Sequence, residues 1–288
     1  MQGGAQAFET ANDSTRRLEQ PRLVPAVMPD LILVTGSDFT HARALRHFLA
    51  SIDRFEPALS VIVYDLGLTP AQLKGLKRTF RRYEFRKFDY ERYPGYFCIR
   101  INAGEFAWKP VIVWQVLSEA RRPVCWMDAG NRLTENLDRL RASLLKSGFY
   151  SPRSVGCIPE WTHPKMLEFF GLAPHWGDGK ENLNGACVAF NPRFEPALAL
   201  ARKWNEGALI RACIAPEGSD RTNHRQDQAL LSVLAHQAGL ADSTARELLG
   251  FLIQCDRVFS LFEDVFRSLV RLLIWATFDP RALWRHRP

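Results

Sequence analysis

The sequence has no paired cysteines. Its six cysteines (Cys98, Cys125, Cys157, Cys187, Cys213 and Cys255) stand apart, with no Cys-x-x-Cys spacing. That excludes a zinc ribbon or a dithiol redox motif. Several fall inside apolar runs, where a free thiol behaves as a small hydrophobe. Reduced thiols suit a cytoplasmic protein, and that location is expected. Long apolar runs are missing too: no charge-free stretch reaches the ~18 residues of a spanning helix. The first twenty residues, MQGGAQAFETANDSTRRLEQ, have no apolar centre, so no secretory leader is expected. Neither Gly-x-Gly-x-x-Gly nor Gly-Lys-Ser/Thr occurs, which argues against dinucleotide and Walker-type ATP sites. There is no internal repeat and no low-complexity tract.

What remains is a basic chain with a large core. Its 288 residues are 47% hydrophobic and carry a formal charge of +7, enough for one large or two small domains. The excess of positive charge fits an anionic partner: a nucleotide, a phosphorylated substrate or a membrane surface. Nucleic acid is set aside, because the basic residues do not interleave with a known reading motif.

Strands and helices alternate along the chain. DLILVTGSD (residues 30–38) and LSVIVYDLG (59–67) are apolar runs bounded by turn formers, as in strands covered on both faces. A helix is predicted between them. Thr69, Pro70 and Gln72 form a capping-box start for the next helix. YEFRKFDY alternates like a third strand, a helix is predicted beyond Pro110, and VCWM (124–127) reads as a fourth strand. RLTENLDRLRASLL follows as a helix. SVGCIP and LNGACVAFNP are strand-like, and EPALALARKWNEGAL and QDQALLSVLAHQAG are helical. This order predicts βαβ units and an α/β domain with a largely parallel sheet. The expected layout is a disordered tail over residues 1–28, one domain over 29–255, and a C-terminal segment over 256–288.

That last segment differs in pattern. In RVFSLFEDVFRSLVRLLIWAT (257–277), Arg257, Ser260, Asp264, Arg267 and Arg271 form one narrow polar stripe. It is either a helix packed on the domain or an amphipathic helix lying in an anionic membrane surface. Eight basic residues between Lys74 and Arg92 either add attraction to such a surface or are a solvated helix face.

Chemistry gathers at strand ends. Thr35-Gly36-Ser37-Asp38 closes the first strand just before a helix, either as an ordinary turn or as a cradle for a phosphate or nucleobase. Lys109 sits at a helix start, a place that favours anions. It is either a surface lysine or one that reaches a bound phosphate. Asp128, followed by Ala129-Gly130-Asn131, is either a turn former or a carboxylate that holds a phosphate-chelated Mg²⁺ or Mn²⁺. Asn184-Gly185 enters a strand where the backbone passes close to something. Asp227-Gln228 opens a helix, as a dipole partner or as part of a site. His224, just before it, is either exposed or an oxygen or metal contact.

Taken in order, FAWKPVIVWQVLSEARRPVCWMDAGNRLTENLDRL, LNGACVAFNP and HRQDQALLSVL resemble the GT-A-fold glycosyltransferases, in particular the family-eight-like enzymes that use nucleotide-sugar donors. The resemblance spans residues 30–240. It implies a Rossmann-type, mostly parallel sheet flanked by helices, and transfer of a sugar, with retention, from a nucleoside diphosphate sugar to a glycan or glycolipid acceptor. Thr35, Gly36, Ser37, Asp38 and Gly185 would then bind the nucleotide. Lys109 would meet the diphosphate, Asp128 would hold Mn²⁺ or Mg²⁺, and Asn184, Asp227 and Gln228 would line the catalytic pocket. One position departs from the pattern. Gly130 stands where the second acid of Asp-x-Asp belongs, leaving Asn131 or a C-terminal residue to assist. The other class open to such a chain is a non-catalytic module that binds a nucleotide or a partner.

Overall fold

A computed structural model describes residues 30–258. The predicted tail over residues 1–28 lies outside the described residues. So does the predicted amphipathic helix over 257–277, save for the backbone of its first two positions.

The strands are β1 (Ile32–Asp38), β2 (Ser60–Gly67), β3 (Glu84–Lys87), β4 (Val124–Met127), β5 (Arg132–Leu133), β6 (Phe149–Tyr150), β7 (Arg153–Cys157), β8 (Glu181–Leu183), β9 (Cys187–Phe190) and β10 (Phe251–Leu252). The helices are α1 (Ala42–Phe55), α2 (Pro70–Thr79), α3 (Trp108–Ala120), α4 (Asp138–Ser147), α5 (Ile158–Trp161), α6 (Pro164–Phe169), α7 (Glu195–Ala208), α8 (Arg211–Ile214) and α9 (Gln226–Gln237). The central sheet has the order β3-β2-β1-β4-β9-β6. Its first four strands are parallel, and β9 runs antiparallel to both neighbours. The expected α/β class with a mostly parallel sheet is what the chain forms.

Both faces of the sheet are covered, so the first half of β1, Ile32 to Val34, is apolar before the polar end at Thr35 to Asp38. Ile32 and Val34 point into one core with α3, α7 and α9. Leu31 and Leu33 point into the other with α1, α2 and α4. Residues two apart share a face, and the same alternation sorts Val124 and Trp126 from Cys125 and Met127 in β4. The α2 start forms as its sequence dictates. Gln72 N–H donates to Thr69 Oγ1 at 3.3 Å, and Thr69 N–H donates to Gln72 Oε1 at 3.0 Å, a cap of the kind that contributes about 1 kcal/mol.

Three expectations shift. Helix α3 begins at Trp108, ahead of Pro110, because a proline in the first turn lacks only an N–H that has no intrahelical partner. The helix expected from Arg132 starts at Asp138, since Arg132 and Leu133 pair with Leu252 and Phe251 as β5 and β10. The single strand expected in LNGACVAFNP is two. Asn184 Oδ1 accepts the Ala186 N–H at 2.9 Å and closes a turn. That turn leaves β8 to pair with β7, while β9 enters the central sheet.

Candidate functional site

One cleft of about 2040 Å³ opens over the carboxyl ends of β1, β2 and β4, where open α/β sheets bind ligands. Its floor is two turns stitched together. The first follows β4, and the second joins β8 to β9. Asp128 N–H and Asn131 Nδ2 both donate to Ala186 O, at 2.9 and 2.8 Å.

Lys109 sits under this floor, 3% exposed. Its ammonium lies 2.9 Å from Asp227 Oδ2 and 3.2 Å from Asp128 Oδ1, and donates to Gly185 O at 2.9 Å. The ammonium thus makes one hydrogen bond and two ion pairs. Where the sequence has Lys109 meeting a diphosphate, the structure turns its ammonium to these internal partners at the edge of the cleft. It is not a surface lysine either. The helix start that makes a lysine costly at this position is compensated by two carboxylates.

Burial acts in opposite senses on the two ends of this pair. It would lower the Lys109 pKa, but Asp128 and Asp227 outweigh it and hold the ammonium above its ordinary value. For Asp227, burial comes first and raises the pKa. Lys109 opposes that rise, and Asp128 adds repulsion. The direction that governs the site is that of Lys109, because one cation serves two acids.

Asp128 faces the cleft with its side chain 40% exposed. Its Oδ1 also accepts from Trp126 Nε1 at 2.6 Å. Trp126 was not among the expected site residues, yet it lies two positions back along the strand and shares a face with Asp128. Gly185 lines the cleft, and glycine suits it because a Cβ there would stand 3.0 Å from Asp227 Oδ2 and 3.3 Å from Gln228 Cβ. Gln228 accepts from Gly185 N–H at 3.4 Å.

At the other end of the cleft, Gly36, Ser37 and Asp38 line the wall. Thr35 does not; it is buried within β1. Asp38 Oδ1 accepts from Thr40 N–H (3.0 Å), Thr40 Oγ1 (2.7 Å) and His41 N–H (3.2 Å). Burial raises its pKa, but His41 and Thr40 together carry it below the usual carboxylate value.

Between the two ends, residues 102–106 adopt left-handed backbone, with φ of 48°, 55°, 65°, 48° and 53°. Such conformations cost non-glycine residues on the order of 1–2 kcal/mol each. Gly104 is required, since a Cβ there would lie 2.2 Å from Phe97 O. Trp108 Nε1 ties down Ala103 O at 3.0 Å. Asn102 and Gln226 hold the two oxygens of Glu105 at 3.2 and 3.3 Å. The result is a fixed, buried acid in the cleft wall that only Gly104 hinted at.

His224 is neither exposed nor a cleft ligand. Its Nδ1 accepts from His163 N–H at 3.2 Å, so Nε2 carries the proton and donates to Ile214 O at 2.8 Å. Burial, aided by His163 and opposed by the Ile214 bond, pushes its pKa down to about 4. The unfolded chain takes a proton below about pH 6.5 that the folded chain refuses, so stability falls as pH drops from there toward 4. The full loss approaches roughly 3 kcal/mol. Urea midpoints measured across this window should decline for the natural chain, and His224→Gln should flatten the slope. An unchanged slope would contradict the neutral ring.

Among the described residues, no three His, Cys, Asp or Glu side chains group as metal ligands. The oxygen donors on the floor nonetheless suit Mg²⁺ or Mn²⁺ bearing phosphate ligands. Asp128, Asp227 and Asp256 border the cleft with Lys109, and Arg211, Arg221 and Arg225 border it as well.

Comparisons with known proteins bear on the fold. A family model described as a protein of unknown function (DUF1647) matches residues 13–114. No curated protein matches the sequence at a significant level. Among solved structures, core-mannan synthase A (CmsA/Ktr4) from Aspergillus fumigatus, in its Mn/GDP form, superposes with a TM-score of 0.54. That match covers 82% of this chain and 78% of that one, at 8% identity. An active-site mutant of LgtC gives 0.50 over 83% of this chain and 95% of that one, at 13% identity. The fold is GT-A. Within it, Asp128 ends the fourth parallel strand, and β9 carries the antiparallel crossing beside it. No helix among the described residues is long and apolar enough to cross a membrane.

Proposed function

We propose that this chain is a glycosyltransferase that moves a sugar from a nucleoside diphosphate sugar to an acceptor hydroxyl. The observation that carries the reading is the Asp128–Lys109–Asp227 cluster, with its bond to Gly185 O, on the floor of one large cleft in a GT-A fold. In this reading Gly36, Ser37 and Asp38 receive the nucleoside, Asp38 accepting from its N–H or O–H groups. Asp128 would hold the divalent cation, with Asn131 beside it. The bound ion would offset the negative charge that builds on the departing diphosphate.

The remaining residues position the substrates. Lys109 fixes the carboxylates of Asp128 and Asp227 relative to each other and prevents either from turning away. Asp227, buried and shared with Lys109, shapes the pocket rather than taking a proton. Gln228 and Asn184 line the donor-sugar end. In this reading Lys109 engages Asp227 and the cation engages Asp128, and the acceptor proton passes to the leaving oxygen, as in a retaining transfer. Arg211 and Arg221 border the cleft and suit an anionic acceptor. A surface glycan or lipid-linked precursor at the cytoplasmic membrane face is the acceptor class we favour, since the chain's basic charge and its C-terminal pattern both fit an anionic surface.

A panel of nucleotide sugars tests this. Calorimetry with and without Mn²⁺ should find Mn²⁺-dependent binding of at least one donor, and release of free nucleoside diphosphate should follow slowly without acceptor. Binding that ignores Mn²⁺ and never releases diphosphate would make the chain a non-catalytic module instead.

A further inference from the structure

We propose that Asp256 supplies the second carboxylate of the cation site, in the space that the absent side chain of Gly130 leaves open. The proposal rests on the glycosyltransferase reading for the nucleotide, and on the coordinates for the acid. A Cβ built on Gly130 would stand 2.6 Å from Asp256 Oδ1, 2.9 Å from Cγ and 3.1 Å from Oδ2. The carboxylate of a residue far downstream therefore occupies the place where a side chain at position 130 would begin. Gly130 is not in left-handed backbone, so its conformation does not demand glycine. The demand comes from the acid that stands over it.

The placement of Asp256 is built into the fold. Cys255 N–H donates to Gly130 O at 2.8 Å, which docks this segment on the Asp-Ala-Gly turn. Just upstream, β10 pairs with β5, and Gln254, with φ of 54°, bends the chain inward. An independent observation also points to a ligand. Asn131 is 2% exposed and lines the same cleft. Ala186 O fixes its Nδ2 at 2.8 Å, while its buried Oδ1 has no hydrogen-bond partner. A buried acceptor left without a donor is unfavourable unless an ion or water completes it. Asp128, Asn131 and Asp256 then form a hard oxygen set that suits Mn²⁺ or Mg²⁺, with diphosphate oxygens filling the other positions. The acid missing from the Asp-x-Asp pattern has been moved to another part of the chain.

The test reads metal binding directly. Free Mn²⁺ would be followed by electron paramagnetic resonance as the full chain is titrated, alone and with UDP or GDP. Asp256→Asn should weaken Mn²⁺ binding by ~10-fold or more. Gly130→Ala should do the same, because its methyl group displaces the carboxylate. The paired exchange Gly130→Asp with Asp256→Ser returns an acid to the strand side and should recover most of the loss. Circular dichroism confirms that each variant is folded; should Asp256→Asn not fold, Gly130→Ala reads the same site from the other wall. Wild-type Mn²⁺ affinity in the folded variants overturns the proposal, as does a natural chain that binds no Mn²⁺ under either condition. Mn²⁺ binding that depends on Asp256, with no affinity for any nucleoside diphosphate, supports the site and sinks the glycosyltransferase reading instead.

Discussion

Lys109→Met should destabilise the protein by about 3–5 kcal/mol. The ammonium is buried and bonded to Asp128, Asp227 and Gly185 O. Removing it leaves the buried Asp227 carboxylate with no cation and with Asp128 close by. Methionine fills much of the volume, so lost packing contributes little and the uncompensated charge dominates. The sign of the pH dependence follows. Asp227 already lies above its ordinary pKa because of burial, and without Lys109 it rises further. A carboxyl whose folded pKa is raised stabilises only where it can stay protonated. The deficit of Lys109→Met should therefore be smallest near pH 4 and grow as pH climbs. Adding Asp227→Asn should recover most of it, since no buried charge then remains. Urea unfolding of the single and double variants at several pH values measures this. A single variant as stable as the natural chain would mean that the cluster is not shielded from water.

Asp128→Asn should have the opposite profile: near-natural stability, and a fall in donor turnover on the order of 10²–10³-fold. Asparagine keeps an oxygen to accept from Trp126 Nε1, which now lies 2.6 Å away, and from Lys109. Because the side chain is 40% exposed to the cleft, losing its charge costs the fold little. What disappears is the negative charge that would hold a cation against the leaving diphosphate. Release of free nucleoside diphosphate and thermal melting, run side by side, separate the two effects. Turnover unchanged within a fewfold would remove Asp128 from the reaction.

Much of the frame is legible in the residues themselves. The apolar runs of β1, β2 and β4 announce strands covered on both faces, and Thr69-Pro70-x-Gln72 states where α2 begins. Part of the site is legible as well, because Lys109, Asp128, Gly185, Asp227 and Gln228 come from strand and helix ends that a parallel sheet collects at one edge. What those residues do to one another is not legible. Nothing local says that Lys109 turns inward, because its partners lie on other elements. His224 is buried by α8 and the residues around His163, not by its neighbours in sequence. Thr35 falls one position short of the cleft. The left-handed run at 102–106 goes against residue preference and is imposed by contacts with Phe97, Trp108 and Gln226. Gly130 and Asp256 meet only through tertiary docking, so the chain there reads as an acid lost rather than an acid moved.

The docking of Cys255 on Gly130 has a practical side. Every described residue that borders the cleft lies at or before position 256, so a chain cut after residue 258 would keep every described wall of the basin. Removing the last thirty positions then tests the proposed attachment to a bilayer apart from chemistry. A cut before β10 would instead take away one described rim of the basin as well, and would confuse the two.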